Sequence, residues 1–299
     1  MSTTLEFIRQ EAPKKGLGKT SAAAGLAVVL WASSFVAIRG IGHALSPAPL
    51  ALLRLGVAAV TLTVFVAVKR GIRVRLSRKA FLLIAGYAVL WLAGYTVALN
   101  AAERHVDAGT ASLLVNLAPL LVALTAGKFL GEGVSRWLVV GSLVALAGAA
   151  LIAAGASAQR DWGGVLLCLL AAVLYAAGVM IQKVALRHAD GLTAIWLGSV
   201  VATVVLLPWL PRLIGELDTA PAGAVFSAAY LGVFPTAIGF VAWAYALRRT
   251  DASRLSAVTY AVPAVSVLLS WLILAEIPAP LGLLGGVLCL VGVAISRRR

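Results

Sequence analysis

LNAAERHVDAGTASLLVNLAPLLVALTAGKFLGE, residues 99–132, returns in altered form as ALRRTDASRLSAVTYAVPAVSVLLSWLILAE, residues 246–276. At one fixed shift of 144 residues, and with no gap, Arg104 meets Arg248, Asp107 meets Asp251, Ala108 meets Ala252 and Ser112 meets Ser256. Pro119 then meets Pro263, and Glu132 meets Glu276. Outside the quoted stretches the same shift pairs Gly141 with Gly285, Gly148 with Gly292, Trp31 with Tyr175, and Arg39 with Lys183. Apolar coincidences carry little weight in a chain rich in Ala, Val and Leu. Matched Asp, Pro, Glu and Gly carry more, and they make the chain a tandem repeat.

The 299 residues are 62% hydrophobic and 12% charged, with a mean hydropathy of +1.00. A soluble domain is about 45–50% apolar and about 25% charged. A soluble fold of this size has too little interior to hide so much apolar surface. Composition thus excludes a soluble enzyme, a disordered chain and a coiled coil, and implies a polytopic membrane protein. Apolar runs between charged or Pro/Gly-rich breaks cover about 21–39, 48–68, 80–102, 108–127, 137–155, 163–186, 192–213, 223–246, 254–274 and 281–296. None alternates as a barrel strand would, so each is expected to be helical, because lipid offers free backbone groups no partner. The expected fold is all-α, with ten transmembrane helices.

The net charge of +14 and the pI near 10.6 would suggest nucleic acid in a soluble protein. Here the basic residues sort by loop instead. Twenty fall on one side, from Arg9 through the Lys69–Lys79 loop to Arg297, Arg298 and Arg299, against Arg39, Arg104, Arg160 and Arg212 on the other. This bias places both termini in the cytoplasm, which agrees with an even number of spans. No nucleic-acid partner is expected. The expected organisation is a cytoplasmic tail (1–20), a five-helix repeat (21–155), a second five-helix repeat (156–296) and a basic cytoplasmic end (297–299). Five spans per copy force the second copy to enter the membrane upside down. Inverted repeats of this kind are common in secondary transporters, whose substrate sites lie near the midplane between the halves. The first apolar run lacks a convincing cleavage site and is read as a span, not a removable signal peptide. Cys168 and Cys289 lie in apolar runs, outside any CxxC pair, and read as small core residues.

The 99–132 stretch resembles the signature of the EamA branch of the drug/metabolite transporter superfamily, and 246–276 resembles its second copy. WASSFVAIRG, 31–40, resembles the first-helix motif of that family. The resemblance spans about 21–296 and is greatest to the YddG-type exporters of aromatic and other neutral amino acids. It implies ten helices with both termini inside a bacterial inner membrane, and export by alternating access. It also implies a central cavity walled by helices 1, 3, 4 and their mates 6, 8 and 9. Within the superfamily, drugs or other small metabolites are alternative cargo. An intramembrane enzyme is the alternative of another class. It would need clustered Asp, His or Ser–His sets, whereas His43, His105 and His188 are scattered at loop ends. No cofactor or metal is expected.

The eleven carboxylates all avoid mid-span positions. Proton-coupled pumps usually place an ionisable group at depth. The chain therefore points to a neutral or zwitterionic substrate moving down its gradient, or to coupling through a group the sequence does not locate. Asp107 and Asp251 precede spans and are expected to cap them. Glu132 and Glu276 read as interfacial groups. Aromatic residues are the binding candidates: Trp31 and its mate Tyr175, then Tyr87, Trp91 and Tyr95 at four-residue spacing on one ridge, and Trp243 and Tyr260. For each of them packing is as good a role as substrate contact. Asn116 is a polar candidate that either holds substrate or ties two helices together. Pro119 and Pro263 each remove a backbone hydrogen bond, and read as hinges or as static bends. Arg54, the only cation within a span, reads as snorkelling outward rather than meeting a substrate carboxylate. Small residues in the fifth and tenth runs, with Gly282 and Gly286 spaced as GxxxG, permit close helix contact within the monomer or in a homodimer.

Overall fold

The computed structural model describes residues 17–41, 44–71, 76–105, 111, 114–131, 133, 135–154, 162–274, 280–296 and 298. All regular structure among them is helical. The elements are α1 (Leu17–Ile41), α2 (Pro47–Arg70), α3 (Arg78–Ala102), α4 (Ala118–Phe129) and α5 (Arg136–Ala154). They continue with α6 (Trp162–Ala185), α7 (Gly191–Leu217), α8 (Ala222–Arg249), α9 in two pieces (Ala252–Val258 and Ala261–Leu274) and α10 (Pro280–Ser296). Seven stretches, in α1, α2, α3, α6, α7, α8 and α9, are long and apolar enough to cross a membrane, and α4, α5 and α10 contain shorter apolar helices. The outer surface is apolar: Val60, Val64 and Val68 of α2, Leu166 and Val173 of α6, and Leu284 and Val287 of α10 all stand exposed. Water would penalise such a surface, whereas lipid accommodates it. The protein is a multi-pass membrane protein.

Ends are tied by side chains. Asp190 caps α7, accepting from the Thr193 backbone N–H at 3.2 Å and its hydroxyl at 2.7 Å. Glu216, near the end of α7, accepts from the Ser46 backbone N–H at 2.7 Å, just before α2 begins with Pro47. Asp251 occupies the N-cap position of α9 without making the expected cap bond. Its carboxylate faces Arg254 at 3.5 Å instead. Asp107, Glu132 and Glu276 lie outside the described residues.

Two kinds of helical irregularity recur at, or within one residue of, the 144-residue shift. The first is a widened π turn, Ala88–Tyr95 in α3 and Gly232–Ile238 in α8. Pro235 explains the second of these turns. It lacks the N–H that would reach the Leu231 carbonyl, and Thr236 Oγ1 donates to that carbonyl instead, at 2.7 Å. The second irregularity is a break in the helix before Pro119 and before Pro263. Asn116 and Leu117 form a turn ahead of α4, and Thr259 and Tyr260 form one inside α9. Each proline leaves the carbonyl four residues earlier, on Val115 or Thr259, without its helical donor. The Val262 N–H takes up the Thr259 carbonyl at 2.9 Å.

α5 and α10 pack antiparallel against each other through small residues. A methyl group on Gly148 would lie 2.6 Å from the Gly285 carbonyl oxygen and 2.7 Å from the Cys289 nitrogen. One on Gly292 would meet the Gly141 carbonyl oxygen and the Ala145 nitrogen, both at 2.5 Å. Those two contact sets exchange under the shift. Cys289 Sγ sits 3.4 Å from the carbonyl of Ala145, its own mate. The small faces of α5 and α10 are thus used within the monomer. A methyl group on Gly286 would lie 3.6 Å from the Ala264 Cβ.

Candidate functional site

A narrow cavity of about 80 Å³ lies between the helices. Its wall draws Trp31, Ser34 and Ile38 from α1, Arg54 from α2, and Trp91, Tyr95, Thr96 and Leu99 from α3. Val115 and Asn116 come from the start of the turn before α4, Tyr175 from α6, Phe240 from α8, Thr259 from the break in α9 and Val262 from just beyond it. Backbone irregularities therefore surround the cavity. Such irregularity is tolerated at membrane depth where it lines a cavity or is buried in protein.

The aromatic wall is a continuous stack. Trp91 lies 5.0 Å from Tyr175, nearly parallel at 17°, and 5.0 Å from Phe240, edge-on at 66°. Trp31 meets Phe240 at 5.2 Å and Trp243 at 4.9 Å. Tyr95 joins Tyr175 at 5.9 Å. Trp31 is oriented by its Nε1, which donates to the Pro235 carbonyl at 3.1 Å. Tyr175 points its hydroxyl at Thr259 Oγ1, 3.5 Å away. The absence of a side chain at Gly178 lets α6 close onto Trp91, since a Cβ there would overlap the tryptophan's own.

Five sequence candidates, Trp31, Trp91, Tyr95, Asn116 and Tyr175, thus meet at the cavity. Three stand away from its lining. Trp243 is fully buried behind Trp31. Tyr87 is fully buried, and its hydroxyl donates to the Ala194 carbonyl on α7. Tyr260 is buried with Ala123, Leu138 and Val293 beside the α5–α10 contact. The single ridge expected on α3 fails at the π turn. Widening changes the angle per residue, so four-residue spacing no longer keeps Tyr87 in line with Trp91 and Tyr95. Pro119 and Pro263 stand three or four residues beyond the turns that line the cavity. The sequence reading missed Ser34, Thr96, Phe240 and Thr259. Phe240 was detectable at helical spacing from Trp243, and Thr259 as the mate of Val115 in the repeat.

Arg54 does not snorkel. Its Nε donates to Thr236 Oγ1 at 2.6 Å, which ties α2 to the π turn of α8. The carboxyl group that interacts with it electrostatically is Glu103, just past the end of α3. Burial pushes the Glu103 carboxyl up to about 7, and the Arg54 charge pulls part of the way back. No ion pair within 4.0 Å joins the two among the described residues.

A multi-pass helical bundle enclosing a cavity of aromatic and polar side chains has the build of a small-molecule transporter. The EamA-like transporter family matches the chain twice, over residues 19–154 and 162–298, and the chain belongs to that family. The chain is 39% identical over 283 residues to the probable terminal-alkyne amino-acid exporter of Streptantibioticus cattleyicolor, covering 95% of each chain. It is 34% identical to the uncharacterized transporter YdfC of Bacillus subtilis, over 91% of this chain and 88% of that one. The probable amino-acid metabolite efflux pump of Salmonella typhimurium is 27% identical, over 91% and 92%. A solved structure titled "Crystal structure of protein" superposes with a TM-score of 0.76 at 22% identity, covering 94% of this chain and 97% of that one. The last likeness speaks for the fold alone. Family and relatives together indicate a transporter rather than an enzyme.

Proposed function

We propose that the protein exports neutral amino acids, aromatic ones among them, across a bacterial inner membrane by alternating access. Residues 21–155 and 156–296 act as two five-helix units in inverted topology, with both termini in the cytoplasm. The observation that carries the reading is the cavity wall of Trp31, Trp91, Tyr95 and Tyr175, set between the two units. Such a wall suits the side chain of Phe, Tyr, Trp or Leu by stacking and apolar contact. The turns before Pro119 and Pro263 serve as hinges. The exporter names of two relatives lend further support. The test is flux of labelled amino acids into proteoliposomes without ATP, run with and without a pH gradient. Saturable flux of phenylalanine or leucine supports the reading, and no flux of any neutral amino acid removes it. Tags on the two chain ends should be accessible from the same membrane face.

A further inference from the structure

We infer that Arg54 receives the α-carboxylate of the transported amino acid in the cavity, an inference that rests on the export reading above and names what that site recognises. Arg54 is the cation of the cavity wall. Its guanidinium is oriented at one edge: Nε binds Thr236 Oγ1 at 2.6 Å, and that hydroxyl is itself anchored on the Leu231 carbonyl at 2.7 Å. The terminal nitrogens meet no acceptor among the described residues. An oriented guanidinium with its terminal N–H groups unspent matches the two oxygens of a carboxylate.

Glu103 is the carboxyl group whose field reaches Arg54, from beyond ion-pair distance. It interacts electrostatically with Arg54, yet its Oε1 is buried and accepts no hydrogen bond. The arginine is thus left without a carboxylate partner at ion-pair distance among the described residues. The other half of the molecule has no counterpart, because the position matching Arg54 under the repeat is Gly198. One carboxylate-binding group facing an aromatic wall gives an amino acid a single way to lie: acid group at α2, side chain against Trp91 and Tyr175.

The experiment is competition against labelled phenylalanine flux in proteoliposomes, with unlabelled phenylalanine and phenylalaninamide as competitors. The wild-type protein should bind the amide at least about tenfold more weakly, as expected for loss of charge-assisted hydrogen bonds. Arg54→Gln should weaken phenylalanine to the level of the amide and leave the amide unchanged. Arg54→Lys should fall between, keeping the charge and losing the fork. Equal competition by acid and amide in the wild type overturns the inference. So does an equal loss of both in Arg54→Gln, which would make the arginine only a strut between α2 and α8. If neither variant reconstitutes, the wild-type acid-to-amide ratio decides alone. Absence of any wild-type flux takes down the export reading itself, whereas flux indifferent to the carboxylate takes down only the role of Arg54.

Discussion

On the α3 side of the cavity, the widened turn Ala88–Tyr95 presents Trp91 and Tyr95. On the α8 side, the matching turn Gly232–Ile238 presents no side chain to the cavity. Its Pro235 carbonyl holds the Trp31 indole, and its Thr236 hydroxyl holds Arg54. The same backbone defect thus supplies contact surface in one half and orientation in the other. The turns before Pro119 and Pro263 differ side chain by side chain: Asn116 lines the cavity while its mate Tyr260 packs against α5 and α10, and in the second turn Thr259 stands at the cavity instead. What repeats along the chain is where the helices open. What fails to repeat is the set of side chains placed there.

Breaking the repeated part should cost most. Gly148→Leu drives a side chain into the α10 backbone, so destabilisation of roughly 3 kcal/mol or more is expected. Thermal unfolding in detergent checks it, with Gly25→Leu as the control, since nothing lies within 4 Å of Gly25. Trp91→Ala attacks the unrepeated part. It removes the centre of the aromatic stack and should cost about 3 kcal/mol of stability and most of the phenylalanine flux. If flux survives while stability falls, Trp91 is packing alone.

Thr236→Val tests the orienting role of the α8 turn. It strands both the Leu231 carbonyl and Arg54 Nε, a loss of about 2 kcal/mol. Pro119→Ala and Pro263→Ala test whether the matched breaks are equivalent. Each restores a backbone donor, so stability should change by about 1 kcal/mol or less while flux slows. Similar slowing by both favours paired hinges, and slowing by one alone separates them. The smallest effect concerns Glu103. Its folded carboxyl holds its proton up to about 7, against an ordinary 4.5. The folded state therefore binds more protons than the unfolded state between those values, and stability should fall as pH rises through that window. Glu103→Gln should flatten the slope by about 1 kcal/mol or less, read from melting temperatures at pH 5 and pH 8.

The helical, membrane-spanning build was legible because hydropathy and the matched Asp, Pro and Gly pairs are local signals. Trp31, Trp91 and Tyr175 could be picked out as mid-span aromatic residues, though the same signal also picked Tyr87, Trp243 and Tyr260, which serve packing. Tyr87 could not be separated from Trp91, since the π turn between them has no sequence mark in α3. Arg54 was visible as the lone cation within a span. Its direction was not, because the partner that turns it inward, Thr236, is 182 positions away. Asp251 shows the reverse failure: the local cap pattern was present, and an exposed arginine one turn on took the carboxylate instead.

The Gly148 and Gly292 contacts are interchangeable under the shift, so α5 and α10 each bring both the notch and the ridge that fills it. A surface of that kind fits its own twin. In this chain each of the two helices is the other's antiparallel twin. Fusing two halves into one chain then settles which twin is met, and frees each half to lose the side chains the other retains.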